Sequence, residues 1–207
     1  LNTQDSSKDL IDFITLKLIN KKLSNKEKRI LFFLAENLYQ YKDGDLFELE
    51  PPSSMTAFMS AICGLKYPQV IANSINCFGQ KHFCFEDVAE AIQKKYTDYK
   101  YYPGFGHPMY KKNDPRVLKC VRFIKKEKFE GQNIKFLLDY SKSQKLCINI
   151  AGLATAFLLD LGFTKYNISY FPIAIRMIGL SLIYENVKTN KYKVFSSKAI
   201  KQFEKNL

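Results

Sequence analysis

An all-α fold is expected from three features of this 207-residue chain. Apolar residues recur at the helical spacing of three to four in almost every segment. No stretch alternates cleanly as a strand. Glycine or proline marks most of the joints between segments. With 46% hydrophobic and 25% charged residues, the composition suits a globular core, in one compact unit or two closely joined lobes.

The elements follow in order. Residues 7–20 carry Leu10, Phe13, Ile14, Leu16, Leu18 and Ile19 at broadly helical spacing. Ser24 is expected to cap a second helix, with Glu27 three residues on completing a capping box. That helix runs to about Tyr41 and turns Ile30, Leu31, Leu34 and Leu38 inward. Pro51-Pro52-Ser53-Ser54 opens a third helix, which Gly64 stops after about Cys63. A fourth spans 68–79 with Val70, Ile71, Ser74, Ile75 and Phe78. Residues 85–92 read as the next. Residues 115–126 follow, with Val117, Leu118, Val121 and Ile124 inward, and then 133–140. The stretch 152–161 is nearly all apolar and must be buried, with Gly162-Phe163 closing it. A long helix over 172–184 and a short one over 197–203 complete the chain.

A net charge of +12 invites a nucleic-acid reading. The lysines are nevertheless scattered, with no basic stripe and interleaved aromatics, so lysine-rich composition explains the charge and no nucleic-acid partner is expected. Such a field would also attract an anionic cofactor or substrate. The five cysteines, odd in number and without CxxC spacing, argue against a disulfide framework and a zinc site. They read as small hydrophobes in a reducing compartment. No apolar run approaches the roughly 20 residues a membrane helix needs, and no signal-peptide pattern follows Leu1. A cytoplasmic protein without a membrane partner is expected.

The chain is organised around the segment from Pro103 to Arg116. It holds Gly104 and Gly106, the prolines at 103, 108 and 115, and His107, one of two histidines in the chain. A conformationally expensive loop carrying a titratable side chain points to chemistry rather than packing.

Gly104-Phe105-Gly106-His107, followed by Asp114-Pro115-Arg116 at the family's spacing, resembles the histidine loop of the citrate synthase family. Gly79-Gln80-Lys81-His82, ahead of an acidic helix, is similar to a second histidine element of that family, with Phe83-Cys84 in place of its usual glycine pair. The run from Leu146 to Leu153 resembles the segment that carries the family's catalytic aspartate. Asn149 and Ile150 match, but Ala151 stands at the aspartate position.

The resemblance implies a multi-helical fold with a large helical domain from residues 1–80 and 158–207 and a small one from 81–157. It also implies a homodimer. The family makes or breaks the carbon–carbon bond between an acetyl-CoA unit and oxaloacetate, with a coenzyme A ester as substrate and no permanently bound cofactor. On that basis His82 would donate to the enolate oxygen. His107 would protonate the keto oxygen, or take that proton in cleavage. Arg116 and Arg176 would bind substrate carboxylates, with Asn149 beside the substrate. Lys111, Gly104 and Gly106 would meet coenzyme A.

Residue chemistry leaves Arg176 open, because a lone arginine in an apolar helix needs an anionic partner. That partner is either the substrate or an acid such as Glu185 or Asp160. Pro108 replaces an arginine common after the histidine, and no counterpart of an upstream substrate-binding histidine lies near residues 49–53. With Ala151, these departures resemble a divergent, short, citryl-CoA lyase-like branch. Cleavage is then the favoured direction, with a displaced acid such as Asp160 or water supplying the last proton. The alternative is a catalytically silent protein that binds a coenzyme A ester or a protein partner.

Overall fold

The structure, a computed structural model, describes residues 10–39, 51–79, 81–95 and 101–190. The expected helix at 197–203 lies outside them. Among the described residues nine helices form: α1 (Leu10–Ile19), α2 (Asn25–Leu38), α3 (Pro52–Ile62), α4 (Tyr67–Ile75), α5 (Phe85–Lys94), α6 (Pro115–Lys126), α7 (Gln132–Ser141), α8 (Ile150–Leu161) and α9 (Tyr170–Thr189). Extended pairing there is limited to two isolated bridges, Gly79 with His82 and Phe105 with Ile148. The fold is all-α, and no described helix is long and apolar enough to cross a membrane.

The described residues gather into two compact units, one from 10–37 and 85–169, the other from 38–84 and 170–190. The first is built on α8. Ile150, Leu153, Ala154, Ala156, Phe157, Leu158 and Leu161 are all buried along it. This helix is apolar on every side, so α5, α6 and α7 pack around it. Burying each large apolar side chain contributes about 1.5–3 kcal/mol before the cost of ordering it. Gly162 ends the helix at φ +107, and Phe163 N–H returns to the Leu158 carbonyl.

The reciprocal cap at α2 forms as the sequence predicts. Glu27 N–H donates to Ser24 Oγ at 3.3 Å, and Ser24 N–H donates to Glu27 Oε2 at 2.7 Å. Ile30, Leu31, Leu34 and Leu38 are buried. Helix α1 buries Asp12 and Thr15 while Leu10 and Phe13 stay exposed, because Asp12 pairs with Lys28 of α2 at 2.5 Å.

In α6 the buried stripe is Val117, Cys120 and Ile124. Leu118, expected inward, is 41% exposed, since it lies one residue, about 100° of helix, off that stripe. Burial pushes the Cys120 thiol up to about 12, so it stays an inert hydrophobe.

The second unit packs α3, α4 and α9 around Phe58, Ala61, Val70, Leu180 and Ile183. Pro52 lies within the first turn of α3 and Gly64 follows its end at φ +87, as the sequence predicts. Helix α4 stops at Ile75, short of the expected Gly79, and a tight turn carries the chain on through Cys77 and Phe78 to Gly79.

Candidate active site

The histidine loop is tied to the start of α8 by backbone pairing. Asn149 N–H donates to the Gly104 carbonyl at 2.9 Å, and Gly106 N–H donates to the Cys147 carbonyl at 2.7 Å. Both glycines lie at positive φ, +85 and +82, which a side-chain-bearing residue rarely adopts. Gly104 also presses against Gly152, so neither position has room for a Cβ. Asn149 serves two elements at once. Its Oδ1 caps α8 by accepting from Gly152 N–H at 3.0 Å, and its Nδ2 donates to the Gly106 carbonyl at 3.0 Å.

His107 leaves this frame half-buried, its ring stacked on Tyr110 at 4.6 Å. Met109 N–H and Tyr110 N–H donate to His107 Nδ1 at 3.2 and 3.4 Å. An Nδ1 that accepts leaves the proton of the neutral ring on Nε2. The loop therefore presents an Nε2–H donor.

The Asp-Pro-Arg triplet is a helix start. Asp114 caps α6 by accepting from Arg116 N–H, and Pro115 occupies the first helical position. Arg116 then folds back on the same carboxylate, Nε to Oδ1 at 3.0 Å and Nη2 to Oδ2 at 2.7 Å. Its guanidinium also lies 5.6 Å from the Tyr110 ring. His107, Tyr110 and Arg116 thus form one stack, anchored on a buried Asp114. Lys111 follows on the loop, exposed.

His82 belongs to the second unit. A backbone pair with Gly79, at 2.7 and 3.0 Å, fixes it after α4. Its Nε2 lies 3.1 Å from Ser53 Oγ in the first turn of α3. Burial first, and then the positive charge of Arg176, hold its imidazole down at about 4, so it is neutral near pH 7. Arg176 is 1% exposed. It donates from Nη1 to the Tyr39 carbonyl at 3.1 Å, and from Nη2 to Ser53 Oγ at 3.3 Å and Ser54 Oγ at 2.6 Å.

The structure thus joins His107, Arg116, Asn149, Gly104 and Gly106 in one unit, and His82 and Arg176 in the other. Sequence reasoning missed Ser53, Ser54, Asp114 and Tyr110. For Asp114 the signal was present, an aspartate immediately before a helix-opening proline. Asp160, expected as an acid or as the partner of Arg176, is committed elsewhere. It accepts from Asn133 N–H, Asn133 Nδ2 and Ile134 N–H at 2.8–3.0 Å, capping α7. Ala151 sits in the first turn of α8, half-buried, just after the Asn149 cap.

These helices and this histidine loop define a citrate synthase-family fold, and comparison with solved structures refines it. The fold is citryl-CoA lyase-like. Citryl-CoA lyase from Hydrogenobacter thermophilus superposes with a TM-score of 0.75 at 25% identity, over 93% of this chain and 80% of that one. An ATP citrate lyase variant from Methanosaeta concilii, solved with (3S)-citryl-CoA, matches with a TM-score of 0.73 at 16% identity. The ATP citrate lyase from Methanothrix soehngenii, solved with citrate and coenzyme A, matches at 0.72 and 15%. This chain spans 36% of each of those two longer chains, a likeness of fold alone. No protein-family model and no curated protein sequence matches the chain.

Proposed function

We propose that this protein is a citryl-CoA lyase-like enzyme that makes or cleaves the carbon–carbon bond between an acetyl-CoA unit and a 2-oxo acid of the oxaloacetate class, with cleavage the favoured direction. The observation that carries the reading is the histidine loop, held to the start of α8 by backbone pairing, in which two backbone amides donate to Nδ1 of His107. The similarity to citryl-CoA lyase over 93% of the chain supports it.

In cleavage, the hydroxyl proton of citryl-CoA passes to His107 Nε2 as the hydroxyl carbon becomes a keto carbon. This requires the ring's own proton on Nδ1, and so the release of both amide contacts. Opening them, from 3.2 and 3.4 Å, is a cost that cleavage carries and condensation does not. The electron pair of the breaking bond becomes the enolate of acetyl-CoA. Neutral His82 donates a hydrogen bond to the enolate oxygen, where charge develops. In condensation, His107 donates from Nε2 to the keto oxygen, the tautomer already in place.

Carboxylate recognition falls to Arg116, whose planar fork exchanges Asp114 for substrate, with Asn149 beside it. Lys111 and the backbone at Gly104 and Gly106 are assigned to coenzyme A. The enolate carbon takes its last proton from water, because Asp160 is engaged at α7 and Ala151 holds no proton. On the same resemblance, the protein works as a cytoplasmic homodimer with no permanently bound cofactor.

The test is release of acetyl-CoA and oxaloacetate from citryl-CoA by the purified protein. Turnover that drops by about 10²-fold or more in His107→Ala supports the reading. Absence of turnover in both proteins, with coenzyme A still bound, favours the second reading, a silent coenzyme A ester-binding protein, which Ala151 motivates.

A further inference from the structure

Tyr110 folds back onto the histidine three positions before it. Its N–H donates to His107 Nδ1 at 3.4 Å, and its ring stacks on the imidazole with centroids 4.6 Å apart and planes 27° from parallel. The amide restrains where one ring nitrogen points, whereas the stack restrains the plane of the ring. Both restraints come from one half-buried residue.

That residue is itself held at two further points. Its carbonyl accepts from Cys147 Sγ at 3.4 Å, while the Cys147 carbonyl accepts from Gly106 N–H. One residue on the approach to α8 therefore grips the loop on both sides of His107. The Tyr110 ring also lies against the Arg116 guanidinium, 5.6 Å from its centroid. Arg116 is bound through Nε and Nη2 to Asp114, which is 1% exposed and caps α6. A guanidinium over an aromatic face is attracted to its π electrons, so a fixed Arg116 holds the ring in turn. A chain of contacts runs from buried Asp114 to Arg116, to the Tyr110 ring and to His107.

We infer that Tyr110 is a positioning residue: its ring, held by Arg116, fixes the plane in which the His107 imidazole meets the substrate oxygen. The purpose rests on the proposed acyl-CoA chemistry, and the geometry is the loop's own. Proton transfer needs a short, directed path, so an imidazole free to tilt loses rate rather than affinity. The role belongs to the aromatic ring, since His107 and Arg116 both lie against it.

The test uses the full chain with Tyr110→Leu and Tyr110→Phe. In the citryl-CoA assay the leucine variant is expected to lower kcat by about 10-fold or more, while KM changes less than about threefold because Asp114 still places Arg116. The phenylalanine variant is expected to keep kcat within about twofold of the parent. A rise in KM at constant kcat means that the ring serves Arg116 alone, and an equal loss in both variants assigns the effect to the hydroxyl. Either result overturns the inference, as does a leucine variant with the parental kcat.

A second readout needs no turnover. Imidazole proton and 15N NMR separates the two histidines with the help of His82→Gln. In the parent and in Tyr110→Phe, the His107 ring protons are expected upfield, shielded by the stacked ring, with the imidazole in its Nε2–H form. In Tyr110→Leu that tautomer preference relaxes toward a mixture, because only the amide contacts remain. No upfield shift in the parent, or an unchanged tautomer in the leucine variant, overturns the inference. If the parent turns over no citryl-CoA, the proposed function fails, and the NMR alone decides this point.

Discussion

Gly104 and Gly152 meet backbone to backbone. A Cβ on Gly104 would stand 2.8 Å from Gly152 Cα, and one on Gly152 would stand 2.4 Å from the Gly104 carbonyl oxygen. The contact presses the loop that carries His107 onto the first turn of the most buried helix, so the histidine is placed by the core. Gly152→Ala meets backbone, which cannot swing away as a side chain could. It is expected to destabilise the protein by about 1–3 kcal/mol and to lower turnover out of proportion to the folded fraction. Urea unfolding beside the citryl-CoA assay checks both, and a variant as stable and active as the parent would refute the placement.

Asn149 makes two bonds whose contributions can be separated. Asn149→Ala loses the α8 cap and the tie to the Gly106 carbonyl, and should cost about 1–2 kcal/mol. Asn149→Asp keeps an oxygen for Gly152 N–H but sets a carboxylate against the Gly106 carbonyl. Its cap survives and its loop loosens. Hydrogen exchange is expected to rise at residues 104–107 in both variants, and to rise at the start of α8 only in the alanine variant.

His82 makes stability depend on pH. Its folded value of about 4 lies below the ordinary 6.5 because of burial and the facing Arg176. As pH falls through about 6.5 the unfolded chain binds a proton there that the folded protein refuses until about 4. The contribution is fully present above 6.5, declines on acidification and is lost by pH 4. The melting temperature of His82→Gln should therefore fall less than that of the parent between pH 7 and 4.5. Parallel curves would exclude the effect.

The carboxylate that the family resemblance implies at position 151 can be introduced. Ala151→Asp places an acid in the first turn of α8, where the helix dipole favours it. It is expected to speed exchange of the acetyl-CoA methyl protons with solvent by about 10²-fold. Asp160→Ala should leave that exchange unchanged while costing about 2 kcal/mol, because its carboxylate caps α7. Exchange lost in Asp160→Ala would make Asp160 the acid after all.

Much of this was legible in the sequence because it is local. Helix periods, the Ser24–Glu27 box and the stops at Gly64 and Gly162 all depend on residues within a turn or two of one another. The histidine loop could be read for a related reason, since its glycines and prolines constrain the backbone wherever it folds. Leu118 was misplaced because a segment with apolar residues on adjacent faces does not say which face the neighbouring helices will cover.

The candidate site divides the same way. The sequence by itself determined an all-α chain, a rigid loop bearing His107, a second histidine behind a glycine, and an alanine, Ala151, where the family resemblance implies an acid. Only the tertiary structure decided what those side chains touch. It set Ser53 against His82, though 29 positions separate them, and it brought the Tyr39 carbonyl and two serines onto Arg176. It also turned Asp160 to the end of α7. The physical reason is that a buried guanidinium, hydroxyl or carboxylate must find partners wherever packing brings them, and sequence spacing carries no record of which partner that will be.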